Sequence, residues 1–174
     1  MKFNVNQQDL QQALSYCQGV IEKRSTLPIL SNILLDTSKT KLTIIATDLD
    51  LIFIHQIKNI DVIEEGKTTT VSSTIYDVVR KFSSGKKINL SLSNDNKLQI
   101  ESEKSIFNLN CISAAEFPIT DENFNENEFS IKSKQLLKLL NKCKFSVSND
   151  ETRHYLSGIY FHQTQIEDKV FLTA

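Results

Sequence analysis

Few residues in this chain could do chemistry. Asp48 and Asp50 lie one residue apart in TDLD, where two carboxylates could ligate a divalent cation. The same pair could simply punctuate a turn, because aspartate side chains bond backbone N–H groups two residues on. His55, His154 and His162 do not have the spacing of metal ligands, and Cys17, Cys111 and Cys143 form no CxxC pair. There is no GxSxG, no HExxH and no Gly-rich phosphate loop, and the 4 glycines leave little material for one. A hydrolase or nuclease built on TDLD would need further acidic or histidine ligands that the sequence does not mark. The reading is therefore a non-catalytic protein with no cofactor and no metal.

Charge placement says more. Twenty basic residues face 21 acidic ones, so the net charge of −1 does not announce a polyanion ligand. The segment KSKQLLKLLNKCK nevertheless sets Lys134, Lys138 and Lys142 at successive i+4 steps, away from Leu136, Leu139, Leu140 and Cys143. Such a stripe is either a solvated helix face or a sequence-neutral phosphate contact, since ammonium groups on a rigid helix attract without reading base edges. No aromatic residue interleaves with it, which favours duplex backbone over a single strand that stacks on rings. Arg80 and Lys81 decorate a second helix, and Lys23 and Arg24 sit in the loop after the first.

These side chains need elements to hold them. In NQQDLQQALSYC, Leu10, Ala13, Leu14 and Cys17 fall at i, i+3, i+4 and i+7, one face of a helix, with Asn6 as cap and Gly19 as stop. Strand-like runs follow in SNILLD, KLTIIAT and DLDLIFIHQIK, the first two joined by the tight turn TSKT. A second cycle opens at KTTTVS. In STIYDVVRKFSSG, Ile75, Val78, Val79 and Phe82 again mark a helix face, with Gly85 at its end. KKINLSLS, NKLQIESE and SIFNLNCIS complete it, so the unit strand, helix, strand, strand, strand is used twice.

A longer repeat is visible residue by residue. FNVNQQDLQQALSYC aligns with FSIKSKQLLKLLNKC at an offset of 126, carrying Phe3, Leu10, Leu14 and Cys17 onto Phe129, Leu136, Leu140 and Cys143. The same offset carries Leu30, Ser31 and Ile33 onto Leu156, Ser157 and Ile159. With a slightly longer hairpin at HQTQIEDK, Ala174 falls opposite Ala46, so the second copy is expected to be cut inside a strand. Between the copies, AAEFPITDENFNENE holds five acidic residues and no lysine or arginine, the pattern of an exposed connector. At 174 residues and 40% hydrophobic content the chain can bury one ordinary core or a little more. MKFNVNQQDL lacks an apolar signal core and no apolar run approaches membrane-spanning length. Together with three widely spaced cysteines, this points to a reducing, cytoplasmic setting without membrane contact.

MKF, RSTLPILSNILL, ATDLDL, AAEFP and RHYLSGIYF, in that order, resemble the bacterial DNA polymerase III β subunit, the replication sliding clamps, over the whole chain. The resemblance implies an α+β DNA clamp fold, with helices on one face and antiparallel sheets on the other. It implies a complete first domain over 1–125, the truncated start of a second over 126–174, and no third domain. Family members close head to tail as homodimeric rings around duplex DNA. They tether the DNA polymerase III alpha subunit, the clamp loader and repair polymerases through short peptide motifs.

On that basis Arg24, Arg80, Lys134, Lys138 and Lys142 become DNA-binding candidates, whereas the acids of SNDET make that loop a poor one. Arg153 and Leu156 match part of the peptide groove. Thr74, Val78, Phe107 and Leu109 match the ring interface. Read from the residues alone, Leu156, Phe107 and Leu109 are ordinary strand and core positions. Without a third domain the ring cannot close, so this chain by itself is expected to be monomeric or weakly associating. A free-standing interaction domain derived from a clamp is the alternative.

Overall fold

The computed structural model describes residues 1–21, 27–118, 130–150, 152–166 and 169–173. The chain divides into two compact units, Met1–Asp121 and Glu122–Ala174. Of the expected exposed connector at 114–128, Ala114–Glu116 form a 3-10 turn and Phe117 is buried, so its first residues belong to the first unit, while residues 119–128 lie outside the described residues.

In the first unit, β1 (Lys2–Asn6) runs directly into α1 (Gln7–Cys17). Asn6 starts the helix as its pattern predicts: the side-chain oxygen accepts from the N–H of Gln8 at 2.9 Å. The helix ends at Cys17 with Gln18 as its C-cap, which puts Gly19 just past the end as expected, and the turn tightens there as Gln18 donates back to Ser15. A 3-10 turn at Pro28–Ser31 leads into β2 (Asn32–Ser38), β3 (Lys41–Thr47) and β4 (Ile52–Lys58). The second half comprises β5 (Asp61–Glu64), β6 (Gly66–Val71), α2 (Ser72–Val79), β7 (Lys87–Leu92), β8 (Lys97–Ser102) and β9 (Ser105–Ile112). β5 is an addition to the expected cycle; four residues are too few for alternation to show. α2 ends at Val79, well before the expected Gly85, which sits at φ +79° in the turn beyond.

TDLD is a turn. One carboxylate oxygen of Asp48 accepts from the N–H groups of Asp50 (3.1 Å) and Leu51 (2.7 Å), so β4 begins at Ile52 and not at Asp48.

The nine strands form one antiparallel sheet in the order β4-β3-β2-β6-β9-β8-β7-β1-β5. β5 also comes back against β2, so the sheet curls, and α1 and α2 pack on each other within it. The join between its halves is short: β6 and β9 share only the pairs Thr69↔Ile112 and Thr70↔Cys111. Side chains reinforce it. Asn32 donates to the Thr69 hydroxyl at 3.1 Å, and Thr69 donates to the Ile112 carbonyl at 2.8 Å.

One core serves both halves. Leu10, Ala13, Leu14 and Cys17 of α1 are fully buried with Phe3, Ile33, Leu35, Leu42, Ile44, Ile75, Ile88, Leu90, Leu98 and Ile100. Alternation produces this directly: Leu42, Ile44 and Ala46 point inward while Lys41, Thr43 and Ile45 do not. Burying each large side chain contributes about 1.5–3 kcal/mol.

In the second unit, α3 (Ser133–Cys143) is followed by 3-10 turns at Lys144–Ser146 and His154–Leu156, then the hairpin β10 (His162–Ile166) and β11 (Lys169–Thr173). The turn at His154–Leu156 stands 126 residues after the one at Pro28–Ser31, so the repeat extends to local conformation. Leu156 is therefore in a turn, 44% exposed, and not in a core strand.

Two outcomes are expected. Leu14→Ala should lower the unfolding free energy by about 2–5 kcal/mol, read from chemical denaturation, because it leaves a cavity at a fully buried site. Burial also pushes the Cys17 thiol up to about 12 from 9.0. The unfolded thiol loses its proton above about pH 9 while the folded one keeps it, so stability should fall as pH rises from 9 toward 12. Denaturation midpoints of wild type and Cys17→Ala across that range would show a slope specific to the thiol.

Candidate nucleic-acid interface

α3 is amphipathic in the way its sequence predicts. Lys134, Lys138 and Lys142 are exposed, whereas Leu136, Leu139, Leu140 and Cys143 are half-buried on the other side. An i+4 step advances little more than one turn, so the three ammonium groups lie along one face about 6 Å apart per step. Lys142 in the last turn also complements the helix dipole. Long exposed lysines at that pitch can follow a row of phosphates without reading a base.

Arg80 caps the C-terminus of α2 and is engaged locally. Its guanidinium pairs with Asp77 at 3.2 Å and lies 5.9 Å from the centre of the Tyr76 ring. Both partners are largely exposed, so the pair holds the side chain only weakly, yet it offsets the charge offered to a phosphate. Arg24 lies outside the described residues.

The loop before the second 3-10 turn brings Arg153 and Leu156 together. The Leu156 N–H donates to the Arg153 carbonyl at 2.9 Å, and the Ser148 N–H donates to the Leu156 carbonyl at 2.9 Å. Arg153 pairs with Asp150 at 3.5 Å. The Thr152 hydroxyl and backbone N–H both donate to Asp150 and hold its carboxyl below the usual range. A fixed carboxylate is a poor neighbour for phosphate. An exposed leucine beside an arginine instead suits a peptide with an apolar anchor.

The ring-interface candidates meet at β9 and α2. β9 pairs with β8 from Ser105 to Asn110, and with β6 only at Cys111 and Ile112. Among the described residues no strand pairs with the other side of residues 105–110, where the Thr70 hydroxyl donates to the Asn110 carbonyl at 3.4 Å; a strand edge left unpaired can accept another strand. Leu109 and Val78 are buried in the unit's own core. Phe107 is half-buried, edge-to-face with Phe82 at 5.7 Å, and Thr74 is exposed on α2, which packs against β9. Alternation of side chains shows on which face Phe107 lies. It carries no record of whether the strand has a second neighbour, so the open edge was invisible in the sequence.

Among the described residues there is no group of three His, Cys, Asp or Glu side chains that could hold a metal ion. No helix of the described residues is long and apolar enough to cross a membrane.

A curled antiparallel sheet with paired helices, built from a doubled strand-helix-strand-strand-strand unit and followed by part of a second copy, defines a clamp-type domain. The model of the DNA polymerase III beta subunit N-terminal domain matches residues 1–121. A beta sliding clamp of Caulobacter vibrioides is 38% identical over 164 residues, which is 93% of this chain and 44% of that protein. The beta sliding clamp of Escherichia coli K12 is 31% identical over 161 residues. The crystal structure of the Caulobacter crescentus clamp superimposes with a TM-score of 0.93 at 35% identity, covering 99% of this chain and 46% of that one. A Bartonella birtlesii sliding clamp bound to griselimycin gives a TM-score of 0.93 at 32% identity. The chain belongs to the DNA polymerase III beta subunit family and carries its N-terminal domain. It spans a little under half the length of the clamps it matches.

If α3 meets phosphates, alanine at Lys134, Lys138 and Lys142 should reduce the slope of log affinity against log salt. The expected decrease is about 0.9 for each lysine that neutralises a phosphate, measured by fluorescence anisotropy on a random-sequence duplex.

Proposed function

We propose that this chain is the first domain, and the opening of the second, of a replication sliding clamp. The full-length protein is a homodimeric ring that encircles duplex DNA without sequence preference in the cytoplasm. It catalyses nothing; it is a processivity factor that keeps other enzymes on DNA. Family membership and the clamp-like fold support this reading. The observation that carries it is the combination in one domain of paired helices with an open strand edge at β9.

The division of labour follows from the geometry. A moving ring needs a weak grip on phosphate, because tight contacts would have to break at every step. Retention comes from closure, which is a matter of topology and not of affinity. Closure needs an edge to which another subunit can add a strand, and residues 105–110 of β9 supply one. Thr74 and Phe107 flank that joint, while Val78 and Leu109 support it from the core. Because the joint is head to tail, it closes only when the rest of the chain supplies the complementary face.

Arg153 and Leu156 are one wall of a groove for short peptide motifs of the DNA polymerase III alpha subunit, the clamp loader and repair polymerases. Leu156 would seat an apolar anchor and Arg153 would orient the peptide.

The test is retention on closed circular DNA. Full-length protein loaded on a circle should resist salt that removes it from the same DNA once linearised. Thr74→Arg sits at an exposed position and leaves the core alone, and it should weaken the dimer at least tenfold by analytical ultracentrifugation and shorten retention on circles. Equal loss from circles and linear DNA would exclude a topological ring.

A further inference from the structure

In the loop before the second 3-10 turn, several bonds converge on one residue. The Asp150 N–H donates to the Ser148 hydroxyl at 3.1 Å. The Thr152 hydroxyl and N–H both donate to one oxygen of the Asp150 carboxylate, at 2.6 and 3.0 Å. The other oxygen faces the Arg153 guanidinium, 3.5 Å from Nε. Backbone bonds tie this loop to the candidate groove residues: the Arg153 N–H donates to the Asp150 carbonyl at 3.0 Å, the Leu156 N–H to the Arg153 carbonyl at 2.9 Å, and the Ser148 N–H to the Leu156 carbonyl at 2.9 Å. A bond from residue i+3 back to residue i sets Arg153 and Leu156 on one side of the turn.

The two partners of the ion pair are held unequally. Both bonds from Thr152 favour the ionised form of Asp150 and fix its place. Arg153 has a long rotatable stem and is 62% exposed, and a contact of 3.5 Å in solvent holds it only weakly. The carboxylate is therefore the stationary member, and the guanidinium is the one that can turn toward a ligand. A ligand carboxylate that approaches Arg153 meets Asp150 as well, and like charges on one cation repel. A ligand carbonyl meets no such repulsion. The charge also differs between the copies: the offset of 126 puts Asp150 where the first copy has Arg24. An acid in the place of a cation argues against phosphate as the ligand of this loop.

We propose that Asp150 is a positioning residue of the peptide groove: it steers and screens the Arg153 guanidinium, so that this wall selects peptides that are uncharged beside their apolar anchor over acidic ones. This rests on the reading of Arg153 and Leu156 as one wall of a groove for short peptide motifs. Arg153 then serves as a hydrogen-bond donor to peptide carbonyls and not as a carboxylate receptor. Leu156 supplies the apolar contact, and the loop decides which charge a partner motif can carry.

The experiment uses the full-length protein and two short labelled peptides that share a leucine anchor and differ in carrying glutamine or glutamate beside it, with affinity read by fluorescence anisotropy. Wild type should bind the glutamine peptide more tightly. Asp150→Asn keeps an oxygen for the Thr152 donors and removes the charge. It should tighten the glutamate peptide about twofold to fivefold more than the glutamine peptide. That gain should shrink as salt rises, because both groups are exposed, and should vanish in Asp150→Asn/Arg153→Ala. A loop with a merely structural role would change both affinities alike. An equal effect of Asp150→Asn on the two peptides, or a gain that survives the loss of Arg153, would overturn the proposal. Leu156→Ala separates the two levels. If it weakens both peptides while Asp150→Asn leaves their ratio unchanged, only this proposal fails. If wild type binds neither peptide, or Leu156→Ala leaves both affinities unchanged, the groove reading fails and this proposal with it.

Discussion

Leu10, Ala13, Leu14 and Cys17 occupy one side of α1 and are fully buried. Removing that stripe from water makes the sheet curl, because strands from both halves of the unit must reach the same helix. α1 approaches β1 next to one end of the strand order and β3 and β4 at the other. The outward side of α1, the packing of α2 beside it and the position of β9 all depend on that burial. The short β6–β9 join, two residue pairs reinforced by Thr69 and Asn32, is sufficient only because the core already holds the halves together.

The second unit shows the same stripe under different conditions. Leu136, Leu140 and Cys143 repeat Leu10, Leu14 and Cys17, yet they are only half-buried, and no described residue of α3 is buried. Phe145, Tyr155 and Tyr160 are more than three-quarters exposed. The described elements of this unit are one helix, short turns and a two-stranded hairpin. An apolar helix face is buried only by the strands and helices that cross it, and a hairpin alone is marginal. Identical side chains at equivalent positions thus differ in burial because of what surrounds them.

Charge follows the duplication less closely than apolar pattern does. Leu10, Leu14 and Cys17 of the first helix are retained between copies, where truncating a buried leucine to alanine costs about 2–5 kcal/mol, while Ala13 gives way to the larger Leu139. Outward positions are free to diverge, and here they run from glutamine and tyrosine to lysine. The weak, exposed Arg80–Asp77 pair reduces the free positive charge on the first domain.

The strand-helix-strand-strand-strand cycle, the start of α1 at Asn6, the turn at TDLD and the lysine face of α3 were all legible in the sequence. Each depends on local chemistry: a side-chain period, a cap or an Asx turn. The end of α2, β5, the 3-10 turn around Leu156 and the unpaired edge of β9 were not legible. Helix ends depend on which carbonyl the next N–H reaches, and four residues of β5 carry too little pattern to count. Whether a strand has one neighbour or two leaves no mark on its own alternation. The sequence by itself determined which residues could form a core and which faces would meet water. Only the tertiary structure decided which strand edges stayed unpaired among the described residues and which side chains paired across elements, because both depend on contacts between residues far apart in the chain.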